Sequence, residues 1–209
     1  MAQTSLNSRK LLGLHESYYM SLTSIVEGVV FGCLVYAVST NYSSFDVPAW
    51  LVVITTFLTI VLTWHEYVMG VATFDWVPRF RDSLIPFLIA AAQIWACANI
   101  SAAPRMWFLA MALFCFFVYL AFRNMFDSAR EEPINQPIIK KLGYWVPLSQ
   151  YMPLVCAVLF AAFAMVGRVI DDVFLPSTSL VLFLVFLGRV RKYWAIVVEF
   201  AREHEKVAP

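Results

Sequence analysis

Charge is scarce in this chain: Asp, Glu, Lys and Arg make up 14% of its 209 residues, and the net charge is +1. A soluble domain carries nearer a quarter. The shortage leaves too few polar side chains for a water-facing surface, and there is no basic run to hold a nucleic acid. Histidine is nearly missing. The three residues His15, His65 and His204 are too few for a buried haem or zinc site across helices. Glycine, at seven residues, forms no phosphate-cradling loop. The stretch "WHEYVMG" from Trp64 to Gly70 opens like HExxH but lacks the second histidine, and GxSxG does not occur. The expectation is a protein that is not an enzyme and needs no cofactor or metal. Four cysteines, Cys33, Cys97, Cys115 and Cys156, lack metal spacing and read as small buried hydrophobes.

What is abundant is hydrophobic, at 61% of the residues. These residues gather into runs long enough to cross a bilayer as helices. Six spans are predicted, at 18–40, 49–70, 84–100, 105–123, 148–168 and 173–191. The fold class is therefore all-α: a polytopic bundle of six transmembrane helices forming one membrane domain over 1–209. No cleavable signal peptide is expected, because the N-terminus is polar and no A-x-A-like site follows the first apolar run.

Basic residues set the orientation. With the N-terminus inside, the inner segments hold Arg9, Lys10, Arg79, Arg81, Arg123, Arg130, Lys140, Lys141, Arg189, Arg191, Lys192, Arg202 and Lys206, and the outer side holds Arg105 and Arg168. Such a bias over short loops places both termini in the cytoplasm of a plasma membrane, the inner one if the host is a bacterium. The longest connection, 124–147, is then cytoplasmic and broken by Pro133 and Pro137. The tail, 192–209, extends the last span as a helix.

Few polar residues interrupt the spans, so each one counts. Glu27 sits in mid-helix within "SIVEGVV", where a lone carboxylate is costly and by default marks a functional site. An ionised form needs water, a cation or hydrogen-bond donors, whereas a neutral form serves as glue between helices. Beside it on the helical wheel, Ser24, Gly28 and Gly32 recur at intervals of four, a pattern that lets a second backbone approach. Span two carries Thr55, Thr59 and Thr63 on one face, and span three carries Gln93 among alanines. Glu27, Thr59 and Gln93 share a depth of roughly 14 Å at about 1.5 Å per residue. They are predicted to form one midplane polar cluster. Span four, with Phe114, Phe116, Phe117 and Tyr119, reads as a lipid-facing or packing helix. Spans four and six are expected at the periphery.

A second group gathers at the cytoplasmic ends of spans two and three: His65, Glu66, Arg79, Arg81 and Asp82. A histidine with carboxylates at an interface can sense pH; a salt-linked helix end is the plainer reading. His15 and Glu16 lie at the same face.

The stretch Ile25-Val26-Glu27-Gly28, the pair Trp64-His65 ending span two, six short spans and two inner termini together form a layout. It resembles the prokaryotic relatives of the lysosomal potassium channels whose first helix bears a Phe-Ser-Asp signature. Glu27 stands where that signature has Asp, its Phe and Ser have no counterpart, and Met20, Ser21 and Leu22 fill the positions of its preceding arginine. The resemblance implies an oligomer with span one around a central axis, Phe31 or Leu34 as a hydrophobic gate and His65 in place of the family's span-two histidine. An apolar ring of that kind gates by dewetting.

The functional expectation is a homo-oligomeric channel for monovalent cations, with helix one near the pathway and Glu27 as its carboxylate. Its partners would be the bilayer, further copies of itself and the transported cation or proton. Two alternatives stand beside it. In a small proton-coupled transporter, Glu27 carries the proton and the polar cavity lies inside one protomer. In a non-conducting scaffold or signalling subunit, Glu27 is structural.

Overall fold

A bilayer leaves no water for unpaired peptide groups, so apolar runs of this length must close their hydrogen bonds as helices. The computed structural model of the chain describes residues 2–75, 80–101, 104–166 and 173–205, excepting the side chains of 2–16, 104, 204 and 205. Seven α-helices occur among them: α1 (Ala2–Asn41), α2 (Val47–Thr73), α3 (Phe80–Ala98), α4 (Pro104–Glu131), α5 (Gln136–Leu142), α6 (Trp145–Val166) and α7 (Phe174–Glu205). The all-α class is therefore observed. Five stretches are long and apolar enough to cross a membrane: Ser17–Ser44, Val47–Thr73, Phe80–Ala98, Arg105–Glu131 and Trp145–Val166. The sixth predicted span, 173–191, falls in α7, whose apolar first half meets Arg189, Arg191 and Lys192.

Local chemistry sets the ends. The Asp46 carboxylate accepts from the Ala49 N–H at 2.9 Å, and proline in the first turn starts α2 where no amide donor is needed. Gly143, at φ 52°, closes α5 and returns its N–H to the Ile139 carbonyl at 3.0 Å. Buried Asn135, in the turn between α4 and α5, clamps the chain leaving α2. It donates to the Asp75 carbonyl at 2.6 Å and accepts the Asp75 N–H at 3.0 Å. Lys141 then ties α5 to α7 through Glu203 at 2.7 Å.

Neighbouring helices follow in the order α7, α2, α1, α3, α4, α6, and α6 touches α7 to close the ring. This order corrects one expectation. α4 is not peripheral: Trp107, Phe108, Met111, Phe114, Phe122 and Phe126 are all buried, and α4 packs chiefly on α6 and α3. α1 is the least buried of the five membrane-length segments of the protomer, with Ile25 66% and Tyr36 71% exposed. The reason is packing volume. The large rings of α4 interlock with Phe160 and Phe163 of α6, Trp107 and Phe160 meeting edge to face at 6.0 Å. The small and β-branched residues of α1 offer only a narrow inward stripe.

Candidate functional site

The inward stripe of α1 is Thr23, Val26, Glu27, Val30 and Leu34, all buried. Glu27, 5% exposed, turns toward α3, where its carboxyl lies beside the Gln93 side chain. The Gln93 Nε2 also donates to Thr63 Oγ1 at 3.4 Å. One oxygen of each partner, Glu27 Oε2 and Gln93 Oε1, has no protein partner.

The threonines of α2 explain why such contacts are possible in a dry interior. Each spends its proton on its own helix: Thr55 on the Leu51 carbonyl (2.8 Å), Thr56 on Val52 (2.8 Å), Thr59 on Thr56 (2.7 Å) and Thr63 on Thr59 (2.7 Å). Their oxygens remain as acceptors for neighbouring helices. Thr63 thus receives Gln93 of α3, and Thr56 receives the Trp107 indole of α4 at 3.0 Å. Thr59 lies on the buried face but enters the Glu27–Gln93 line only through its carbonyl.

Toward the end of the bundle that carries α5, the line opens onto a cavity of about 90 Å³ lined by α1, α2, α3, α4, α6 and α7. Its polar wall comprises Thr63, Glu66, Tyr67, Tyr19, Asp82 and Asn124. Tyr67 lies within electrostatic reach of both Glu27 and Tyr19, and meets the Tyr19 ring edge to face at 5.7 Å. Asn124, buried on α4, donates to Asp82 Oδ1 through Nδ2. No family model, curated protein or solved structure matches this chain. Its site is therefore read from its own residues.

At the cavity edge Glu66 pairs with Arg189 of α7, whose side chain is only 4% exposed. The guanidinium lies over Phe186 (4.4 Å), Phe122 (5.4 Å) and Tyr193 (5.9 Å). An aromatic box of this kind offsets the desolvation of a buried cation. Burial first, and the Glu66 carboxylate second, push the Tyr193 phenol well above the usual tyrosine range, so it stays neutral. Among the described residues no group of three His, Cys, Asp or Glu is set to hold a metal ion.

The structure divides the predicted cytoplasmic group. Glu66 and Asp82 share the cavity wall, His65 turns its ring to Trp194 at 6.1 Å, and Arg81 is exposed. Arg79 lies outside the described residues, as do the His15 and Glu16 side chains. Of the gate candidates, Leu34 is 4% exposed inside the bundle and Phe31 is 44% exposed beside Phe57, so the two occupy different faces. Ser24, Gly28 and Gly32 are exposed on the outer face of α1, where a Cβ added to either glycine meets nothing within 4 Å. Ser24 accepts the Trp64 indole N–H of α2 at 3.4 Å, whereas Gly28 and Gly32 face open space. The reading of the sequence missed Thr56, Asn124 and Arg189. Arg189 sits in a basic cluster that reads as a solvated span end, and its partner is 123 residues away.

Proposed function

We propose that this chain is an integral membrane transporter with six crossings and both termini cytoplasmic, moving protons through the interior of a single bundle with Glu27 as the proton carrier. One observation carries the reading. Glu27 is buried on the inward side of α1 beside Gln93, which reaches Thr63 on the wall of a cavity within the same protomer, and it turns away from the outer face of α1. A pathway at an intersubunit axis lined by α1 would have the opposite side of that helix. Within the protomer, Glu27 and Gln93 lead to Thr63, which shares the cavity wall with Tyr67 and Asp82 toward the basic, cytoplasmic end. A few waters in the cavity would complete the relay.

The homo-oligomeric cation channel remains the second reading, favoured by one feature: the Ser24, Gly28 and Gly32 face is open and fits a close helix contact between copies. The deciding experiment is proton entry into proteoliposomes holding a pH-sensitive dye, under an imposed potential. Wild-type protein should acidify the lumen and Glu27→Gln should slow this at least tenfold, with partial recovery in Glu27→Asp. Equal rates in wild type and Glu27→Gln would make Glu27 structural. A wild type no faster than empty vesicles would leave the scaffold reading.

A further inference from the structure

Two of the four cysteines face each other inside the bundle. α4 and α6 pack antiparallel, as two ring contacts show: Phe108 meets Phe163 edge to face at 5.8 Å, and Tyr119 lies against Tyr151 at 6.2 Å. Cys115 follows Phe108 by seven residues, and Cys156 precedes Phe163 by seven. Seven residues make about two helical turns, so each cysteine repeats the facing of its phenylalanine. Tyr119 and Tyr151 bound the pair roughly one turn further along. Both thiols line the interior cavity, lie within electrostatic reach of each other and are free. Cys33 of α1 and Cys97 of α3 are also neighbours, but neither lines this cavity.

What two facing thiols can hold follows from what surrounds them. Phe114 and Pro153 flank them on the wall, and Phe183 of α7 closes in, its ring 6.5 Å from Phe114 and 6.2 Å from Phe160. A hard cation at this level would give up its water without gaining oxygen ligands. Zinc and iron–sulfur clusters call for four ligands, and among the described residues no third His, Cys, Asp or Glu joins the pair. Thiolates select soft ions, and Cu(I) is the soft ion that two sulfurs in line can satisfy.

We propose that Cys115 and Cys156 form a two-coordinate site for a soft monovalent metal ion of the Cu(I) type, bridging α4 and α6 in mid-bundle. Two S–H bonds break and two metal–sulfur bonds form. Two protons leave, and the metal keeps its oxidation state. Because protons are released, binding strengthens as the pH rises. The site uses neither Glu27 nor Gln93 and stands apart from the proton pathway.

The test is competition for Cu(I) between the purified full-length protein and the chelator bicinchoninate, under anaerobic reducing conditions. Folded wild type should withdraw one equivalent per chain, and X-ray absorption at the copper edge should show two sulfur neighbours. Cys115→Ala, Cys156→Ala and the double variant should all weaken binding alike, by roughly a hundredfold, because one thiol alone loses the second, intramolecular bond. Thermal unfolding checks each variant, and the serine substitutions replace any alanine variant that does not fold. Cys33→Ala with Cys97→Ala, and Glu27→Gln, should bind as wild type. Folded wild type that takes no Cu(I) from the chelator would overturn the proposal. So would single variants that keep wild-type affinity, or an equivalent that disappears with Cys33 and Cys97 instead.

Discussion

Trp107 of α4 donates its indole N–H to the Thr56 hydroxyl of α2 across 3.0 Å, and both residues are buried. Thr56 gives its own proton to the Val52 carbonyl and accepts the indole N–H, so the bond stitches together two helices that are not adjacent in the ring. Thr56→Val keeps the shape and leaves the indole N–H without an acceptor. A loss of about 1–3 kcal/mol is expected, the cost of a buried donor left unpaired. Thr56→Ser should lose less, and denaturant unfolding in detergent measures both.

The Glu66–Arg189 pair should behave as a unit. Arg189→Met strands a carboxylate at the cavity edge and should cost about 3–5 kcal/mol; adding Glu66→Gln should restore a large part. The readout is the coupling energy from the four unfolding free energies. Additive single losses would mean that the pair is not coupled.

Two glycines should respond in opposite ways. At Gly70 a Cβ would stand 2.8 Å from the Met125 sulfur, the far part of a flexible side chain. Gly70→Ala should therefore fall within about 1 kcal/mol of wild type, since alanine favours the helix by a similar amount. Gly143→Ala, at φ 52°, should destabilise by about 1–2 kcal/mol because the residue must keep a left-handed backbone. Thermal unfolding curves of the two variants give the comparison.

The outer face of α1 offers a separate check. Gly28→Leu and Gly32→Leu add bulk where nothing lies within 4 Å, so the folded protomer should be unaffected. If copies associate through this face, sedimentation equilibrium in detergent should show the double variant as a monomer beside an oligomeric wild type. A wild type that is already monomeric removes the channel reading.

The helical class was legible because long apolar runs have few solutions in lipid, and Glu27 was legible as protein-facing because a carboxylate so placed is costly. Which helices fill the centre was not. Trp107, Met111, Phe114, Phe122 and Phe126 are buried on α4, but exposed Leu113 and Phe116 are apolar too, so apolar character alone did not say which face turns inward. The Ser24, Gly28 and Gly32 ladder marked a face open to close approach without naming what approaches it. Among four buried threonines, spacing alone did not single out Thr56 and Thr63 as the acceptors, because that choice depends on where Trp107 and Gln93 arrive. Glu66 and Arg189 were each visible, but pairing them required the fold.

The central claim, a proton pathway inside one protomer, is tested most directly by counting chains. Proton entry is measured in vesicles reconstituted at protein-to-lipid ratios from well below one chain per vesicle upward. If each bundle conducts alone, the fraction of acidifying vesicles should rise in direct proportion to the mean number of chains and follow single-hit statistics. Acidification that is absent below two chains per vesicle and then climbs with a higher power would contradict the claim and place the pathway between subunits.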